Sequence, residues 1–432
     1  MVWTRLMSLL LNWASPKPLG TPFRFLLSSS LFSNLADGIL IAAGPLLVAS
    51  LTQDPLLVSL ALVVQQLPWL VFGLFAGVVA DRLPRVAIIV TGALSRVLML
   101  AIIGALVLTD TINLPILYVA LFLVGSAEVF TDNAWTSIVP DLVPSKELGV
   151  GNSRLIASQT VMNQLAGPAI GGAIFAIGHA LPYGVTVVSL LVAVVLVSRI
   201  KSPPVSTATT GPIETVRSIA RVRRDIAKGF AWLWQNPPVR TLAIILFAFN
   251  ITYGMTYGVL VLYAKERLGL DDVGYGLLLA VSALGGLVGT ALYARLERRF
   301  SYTSLMRACL ALETLLHLVL AATANVIVAG VTMFVFGMYT VIWATLASTI
   351  RGRAVPSRMR GRVSSVYFLG MIGGMAMGSF IGGLIGQGFG IVTTIWVAFG
   401  LSIFILALVW RSLVNVGRAG EIVEEPGSAA AG

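Results

Sequence analysis

Repeated apolar runs of roughly 20 residues, each ended by a short polar turn, constrain this 432-residue chain more than any motif it carries. Each run is long enough to cross a hydrocarbon core of about 30 Å as a helix, and a helix satisfies its own backbone hydrogen bonds where water is absent. Only 11% of the residues are charged, 57% are hydrophobic and the mean hydropathy is +0.92. Those values exclude a soluble globular domain and predict an all-α membrane protein. The net charge of +11 does not mark a nucleic-acid binder, because the basic residues collect at the ends of apolar runs, where bilayer topology alone places them. The single cysteine, Cys309, lies inside an apolar run and leaves neither a disulfide nor a cysteine metal site.

Twelve spans are predicted, at about 24–50, 55–80, 86–108, 114–135, 151–178, 182–200, 240–264, 272–294, 302–323, 325–349, 362–386 and 391–411. Alternating the loops puts Arg82, Arg85, Lys146, Arg154, the central connection and the arginines from Arg351 to Arg362 on one face. The other face holds only Lys265 and Arg267, and Arg96 falls within the membrane. The basic face is therefore expected to be cytoplasmic, with both termini inside. The expected division is a cytoplasmic segment 1–23, a six-helix half 24–200, a linker 201–239, a second six-helix half 240–411 and a tail 412–432. In the first segment the apolar patch from Leu6 to Ala14 is too short to span, and reads as an amphipathic stretch anchored by Trp3 and Trp13, in preference to a cleaved signal peptide. The linker opens rich in Pro, Ser and Thr and continues as an amphipathic helix. Ile219, Val222, Ile226, Phe230 and Leu233 line one side of it, with Arg217, Arg221, Arg224 and Lys228 available to lipid phosphates. A solvated linker helix is the competing reading.

The two halves repeat each other at an offset of about 212 residues. VPSKELGVGN from Val143 matches VPSRMRGRVS from Val355, GPAIGG from Gly167 matches GSFIGG from Gly378, and ADRLPR from Ala80 loosely matches YARLERR from Tyr293. Two six-span halves around a central linker are the layout of a transporter that rocks one half against the other.

On these residues the chain resembles the major facilitator superfamily, over nearly its whole length. The superfamily's loop between spans two and three reads approximately G-x-L-A-D-R-x-G-R-[RK]. Gly77, Ala80, Asp81, Arg82 and Arg85 stand in its places here, while Val79, Pro84 and Val86 depart from it. The resemblance implies twelve transmembrane helices in two pseudo-symmetric six-helix halves. SNLADG from Ser33 and PLL from Pro45, with the VP and GR signatures before spans five and eleven, are similar to a bacterial exporter branch that includes macrolide efflux pumps and the enterobactin exporter. Gly167, Pro168, Gly171 and Gly172 match the core of the span-five motif of drug/proton antiporters, with Asn163 where that motif has an earlier glycine. Such small residues also serve ordinary helix packing. The hairpin suggests a latch: Gly77 lets two helices approach, and Asp81, flanked by Arg82 and Arg85, offers a carboxylate to the amide donors and positive dipole end at the start of span eleven, near Gly361. A plain topological anchor is the alternative.

Ionisable residues at membrane depth are the candidates for energy coupling, because burying a charge there is costly unless it is paired, hydrated or neutralised. Asp37 lies near the middle of span one, which lines the cavity in the superfamily; it is the first candidate for a proton or a cationic substrate, against a packing role bonded to Asn34 or to a neighbouring span. Glu128 and Asp132, one turn apart on span four, face the same way, so desolvation and mutual repulsion favour a proton on one of them. Asp132 could instead pair with Arg154, and Arg96 could partner any of these acids. Glu313 and His317 on span nine resemble a proton relay, but span nine is peripheral in the superfamily, which favours a structural pair. Gln65, Asn163, Gln164, Asn250, Tyr253, Tyr257, Tyr339, Trp343 and Tyr367 are the candidate cavity lining, with Met371, Met375 and Met377 adding adaptable surface.

No Walker A loop, HExxH or nucleophile elbow occurs, so no cofactor, ATP-driven step or hydrolytic chemistry is expected, and the chain does not read as an enzyme. The expectation is a proton-coupled exporter of drug-like or siderophore-like amphipathic molecules, working as a monomer in a bacterial inner membrane. Its partners would be a small-molecule substrate, protons and lipid, not nucleic acid. Lipid or lysolipid transport, and a non-transporting receptor or assembly partner, are the alternatives.

Overall fold

The computed structural model describes residues 19–80, 82–200 and 212–421, without the side chains of 74, 78 and 212–223. The N-terminal stretch with Trp3 and Trp13, Asp81 of the hairpin, the start of the linker, the side chains of Arg217, Ile219, Arg221 and Val222, and the last residues of the tail lie outside the described residues.

The first half gives helices α1 (Gly20–Leu51), α2 (Pro55–Ala80), α3 (Arg85–Leu108), α4 (Leu114–Leu142), α5 (Ser145–Ile177) and α6 (Leu181–Val197). The linker gives α7 (Pro212–Gln235). The second half gives α8 (Pro237–Gly258), α9 (Asp272–Arg299), α10 (Tyr302–Ala322), α11 (Val326–Ala354), α12 (Ser357–Phe389) and α13 (Ile391–Val409), and α14 (Leu413–Glu421) follows. Among the described residues eleven helices are long and apolar enough to cross a membrane, and the 17-residue α6 occupies the sixth position. Their outward faces carry large apolar side chains suited to lipid: Leu108, Ile177, Ile327 and Phe389 are each more than 70% exposed.

Local chemistry sets the helix starts. Asn113 caps α4 by accepting from the Ile116 amide at 3.1 Å, with a proline in the first turn, where no amide partner is needed. Ser301 caps α10 and Asn325 caps α11 in the same way. Gly390, at φ of 90°, makes the left-handed turn between α12 and α13 that a residue with a Cβ resists. Within α5 the segment Gln159–Ala166 winds as a π-helix before returning to α-helical geometry at Gly167.

The described residues group into two compact units. The first comprises those of Met1–Leu51, Leu67–Ser218 and Asp271–Ala280, and the second those of Thr52–Gln66, Ile219–Leu270 and Val281–Gly432. The opening turns of α2 therefore belong with the second unit, and those of α9 with the first.

Each unit is seamed by the repeated glycine cluster. In the first, a Cβ placed on Gly167 would stand 2.5 Å from the Gly38 Cα of α1, and one on Gly171 would stand 3.1 Å from the Ile39 Cα. On Gly172 it would stand 3.1 Å from the Gly276 Cα of α9. In the second, the equivalent positions Gly378, Gly382 and Gly383 would meet the Cα atoms of Ile251 and Met255 on α8 and Leu56 on α2, at 2.8, 2.7 and 3.0 Å. These spacings leave no room for any side chain, so the backbones pack directly, as small residues allow in membranes. The Ser379 hydroxyl adds a bond to the Ser59 carbonyl at 2.9 Å.

In the second unit α7 docks on the start of α12. Arg362 Nε pairs with Asp225 Oδ1 at 2.8 Å, and a Cβ on Gly229 would lie 2.6 Å from the Arg362 carbonyl. Leu233 is buried, whereas Phe230 and Trp234 stack on each other at the exposed side, 5.5 Å between ring centres.

Candidate functional site

Three helices of the first unit bring the intramembrane charges together. α1 carries Asp37, α3 carries Arg96, and α4 carries Glu128 and Asp132 on one face. α3 and α4 approach closely because Gly92 leaves space for the Thr131 side chain. Arg96 is 1% exposed and forms an ion pair with Asp37, whose side chain is 14% exposed. Asp37 dominates the charges acting on the guanidinium, and Glu128 and Asp132 lie within its electrostatic reach. The two α4 acids also act on each other and feel Asp37, so the cluster holds two carboxylates in excess of its one guanidinium.

Sequence left the partner of Arg96 open among three acids; the structure selects Asp37. Asn34 is not that acid's partner here, since its amide donates to the Ser30 carbonyl at 2.8 Å and to the Ser30 hydroxyl at 2.9 Å. Asp37 is followed by Gly38, over which the carbonyls of Met162 and Asn163 in the π-helical turn pack. The π turn thus lies directly beside the charged cluster, and π segments in otherwise regular helices often mark functional sites.

The other candidates fall in several places. Asn163 is half-buried and Gln164 exposed on the π turn. Gln65 is half-buried on α2; its neighbour Gln66, which sequence reasoning passed over, donates to Met375 Sδ at 3.6 Å. On α8 the Asn250 amide is bonded to the Leu246 carbonyl at 2.7 Å. Tyr253 and Tyr257 lie tilted against each other along α8 with ring centres 5.2 Å apart, and Phe336 of α11 stacks on Tyr253 at 5.4 Å. These rings, with His317, Met333 and neighbouring leucines, line a small apolar cavity within the second unit. Tyr339 is buried behind it, and Trp343 packs at the edge of the core. Tyr367 is a core residue here: it is 3% exposed, its hydroxyl donates to the Val239 carbonyl at 2.5 Å, and Arg351 sits over its ring.

The hairpin after α2 is described on either side of Asp81. Among the described residues a Cβ on Gly77 would meet Asn133 Oδ1 at 3.7 Å, an ordinary contact. Arg82 is half-buried, and Arg85 is engaged by Asp141 at the end of α4. Gly361 is exposed, with nothing among the described residues within 4 Å of a Cβ built on it. Asp141 was legible in principle, because spans three and four begin and end on one face and carry these two charges there.

Compared with known families, the chain matches the profile of the transmembrane secretion effectors, within the major facilitator superfamily, over residues 15–424. The chain belongs to this family. It is 25% identical over 407 residues to the multidrug efflux pump Tap of Mycolicibacterium fortuitum, covering 90% of this chain and 94% of the pump. An uncharacterized MFS-type transporter of Mycobacterium tuberculosis is 31% identical over 152 residues, 34% of each chain. Among solved structures, the nucleoside transporter NupG superposes with a TM-score of 0.72 at 11% identity, covering 92% of this chain and all of that one. A bacterial homologue of the lysosomal transporter Spinster, inward-facing and occupied, gives 0.73 at 13% identity over 94% of this chain and all of that one. A bacterial homologue of ferroportin, inward-facing, gives 0.72 at 18% identity over 91% and 98% of the two chains. At such identities these likenesses establish the fold. The chain is a multi-pass membrane transporter.

Proposed function

We propose that this transporter exports amphipathic, drug-like or siderophore-like small molecules in exchange for protons, by alternating access in a bacterial plasma membrane with its termini in the cytoplasm. The observation that carries the reading is the buried Asp37–Arg96 pair with Glu128 and Asp132 beside it. One guanidinium compensates one carboxylate, so each further acid at membrane depth is best accommodated by taking up a proton. A proton that must be bound in one conformation and released in another is what exchange requires. The likeness to a multidrug efflux pump over 90% of the chain supports the substrate class. The neighbouring rings of Tyr253, Tyr257 and Phe336 are aromatic surface of the kind such molecules stack on.

The test is flux of a panel of dyes, antibiotics and siderophores into or out of proteoliposomes under an imposed pH gradient. Gradient-dependent movement of amphipathic members is expected. No movement of any member, with the protein shown to be folded and inserted, would refute export of this class.

A further inference from the structure

The second unit contains an acidic site that the proposed exchange does not use. Glu313 of α10 is 6% exposed and His317, one turn further on, 3%. Glu313 has hydroxyl neighbours and no cationic partner among the described residues: Thr252 of α8 donates to its Oε1 at 3.4 Å, and Tyr339 of α11 is hydrogen-bonded to it. His317 is held at both nitrogens by carbonyl oxygens. Nδ1 lies 2.8 Å from the Glu313 carbonyl and Nε2 lies 3.3 Å from the Thr252 carbonyl.

Two carbonyl oxygens are two acceptors, and a neutral imidazole has one N–H to offer. Its other nitrogen then faces an oxygen lone pair to lone pair. An imidazolium satisfies both contacts, and the counter-charge it would need inside the bundle is the Glu313 carboxylate one helical turn away. With one proton between them the pair is neutral overall, either as carboxylate and imidazolium or as carboxylic acid and imidazole. The hydroxyls of Thr252 and Tyr339 can serve either form, because a hydroxyl both donates and accepts.

Among the described residues no other charge competes for this proton. α8 presents Thr252, Tyr253 and Tyr257; α11 presents Tyr339; α13 contains no ionisable residue; and α10 itself adds Cys309 and, about 9 Å before Glu313 along the axis, Arg307, which is engaged by the Trp410 carbonyl at 2.9 Å and the Trp410 ring. Glu297 of α9 is engaged by Tyr302 at the start of α10, and α14 meets α10 there too, at Thr303, about 15 Å along the axis from Glu313. His317 also forms part of the wall of the aromatic cavity.

We propose that Glu313 and His317 form a proton-binding site in the second unit, sharing one proton between carboxylate and imidazole. It is distinct from the Asp37 cluster, and its titration is a property of the chain whether or not transport is proton-driven.

Infrared difference spectra of the full-length protein in lipid nanodiscs, between about pH 5 and about pH 9 in H2O and D2O, test it. The wild type is expected to show a deuterium-sensitive protonated-carboxyl band that changes with pH. Glu313→Gln should remove one such component, and His317→Gln should move its midpoint, because the two groups titrate as a pair. Should Glu313→Gln fail to fold, Tyr339→Phe keeps the carboxyl and should displace the band by deleting one hydrogen bond. A Glu313 component that is unchanged across this range and indifferent to His317→Gln would overturn the proposal and leave a purely structural pair.

Discussion

The acidic cluster of the first unit and the Glu313 site of the second solve the same problem with opposite means. In the first, three carboxylates share one guanidinium, and the excess charge is the point of the site. In the second, one carboxylate is surrounded by hydroxyls and a histidine, with no fixed charge beside it among the described residues. An arginine cannot shed its charge, so the first site is built around a fixed cation and any variable proton there belongs to the acids around it. A histidine can shed its charge, so the second site is able to change state without help.

The harshest way to break this contrast is Arg96→Gln, which leaves Asp37 buried and unpaired. A loss of about 3–5 kcal/mol in unfolding stability is expected, read by thermal unfolding in detergent. The double variant Asp37→Asn with Arg96→Gln should recover much of that stability and none of the transport. Next, Asp37→Asn and Glu128→Gln should each lower gradient-driven flux by about 5- to 150-fold, the range of an ordinary coupling free energy of about 1–3 kcal/mol. Unchanged flux in both would remove the first cluster from the coupling machinery. The seams sharpen the comparison from another side: Gly171→Val and Gly382→Val occupy equivalent positions, and each should cost about 1–3 kcal/mol by overpacking, measured the same way. A large effect in one unit only would show that the repeat is not mechanically equivalent. Tyr339→Phe should cost about 0.5–1.5 kcal/mol, one hydrogen bond at the second site. The smallest effect belongs to the partly exposed Arg85–Asp141 pair, where Asp141→Asn should cost at most about 1 kcal/mol and less in high salt.

Much of the architecture was legible because membrane helices announce themselves by length and polarity. Span six is the instructive case: its 17 residues fall short of the usual length, yet the order of its neighbours requires it. The acids Asp37, Glu128 and Asp132 were also legible, since polar residues are rare at that depth. Their pairing was not. Three acids at compatible depth compete for Arg96, and only the rotation of α1, α3 and α4 about their axes decides among them. The same limit explains why GPAIGG could be recognised as a packing cluster while Gly38, Gly276 and the equivalent contacts at Leu56 could not. The π turn Gln159–Ala166 has no signature in its residues; it arises where α5 must both lie against Gly38 and continue into the glycine face.

The repeated seams have a consequence for how the molecule can move. A leucine at a helix contact can change rotamer, so such a contact yields by degrees. Glycine has no rotamer, and a joint made of backbone against backbone has only two conditions, seated or parted. The pairs α1 with α5 and α8 with α12 should therefore travel as fused double rods through any transport cycle, and graded bending has to be taken up elsewhere along them. In α5 the looser winding of the π turn, beside Asp37, is where that compliance is available.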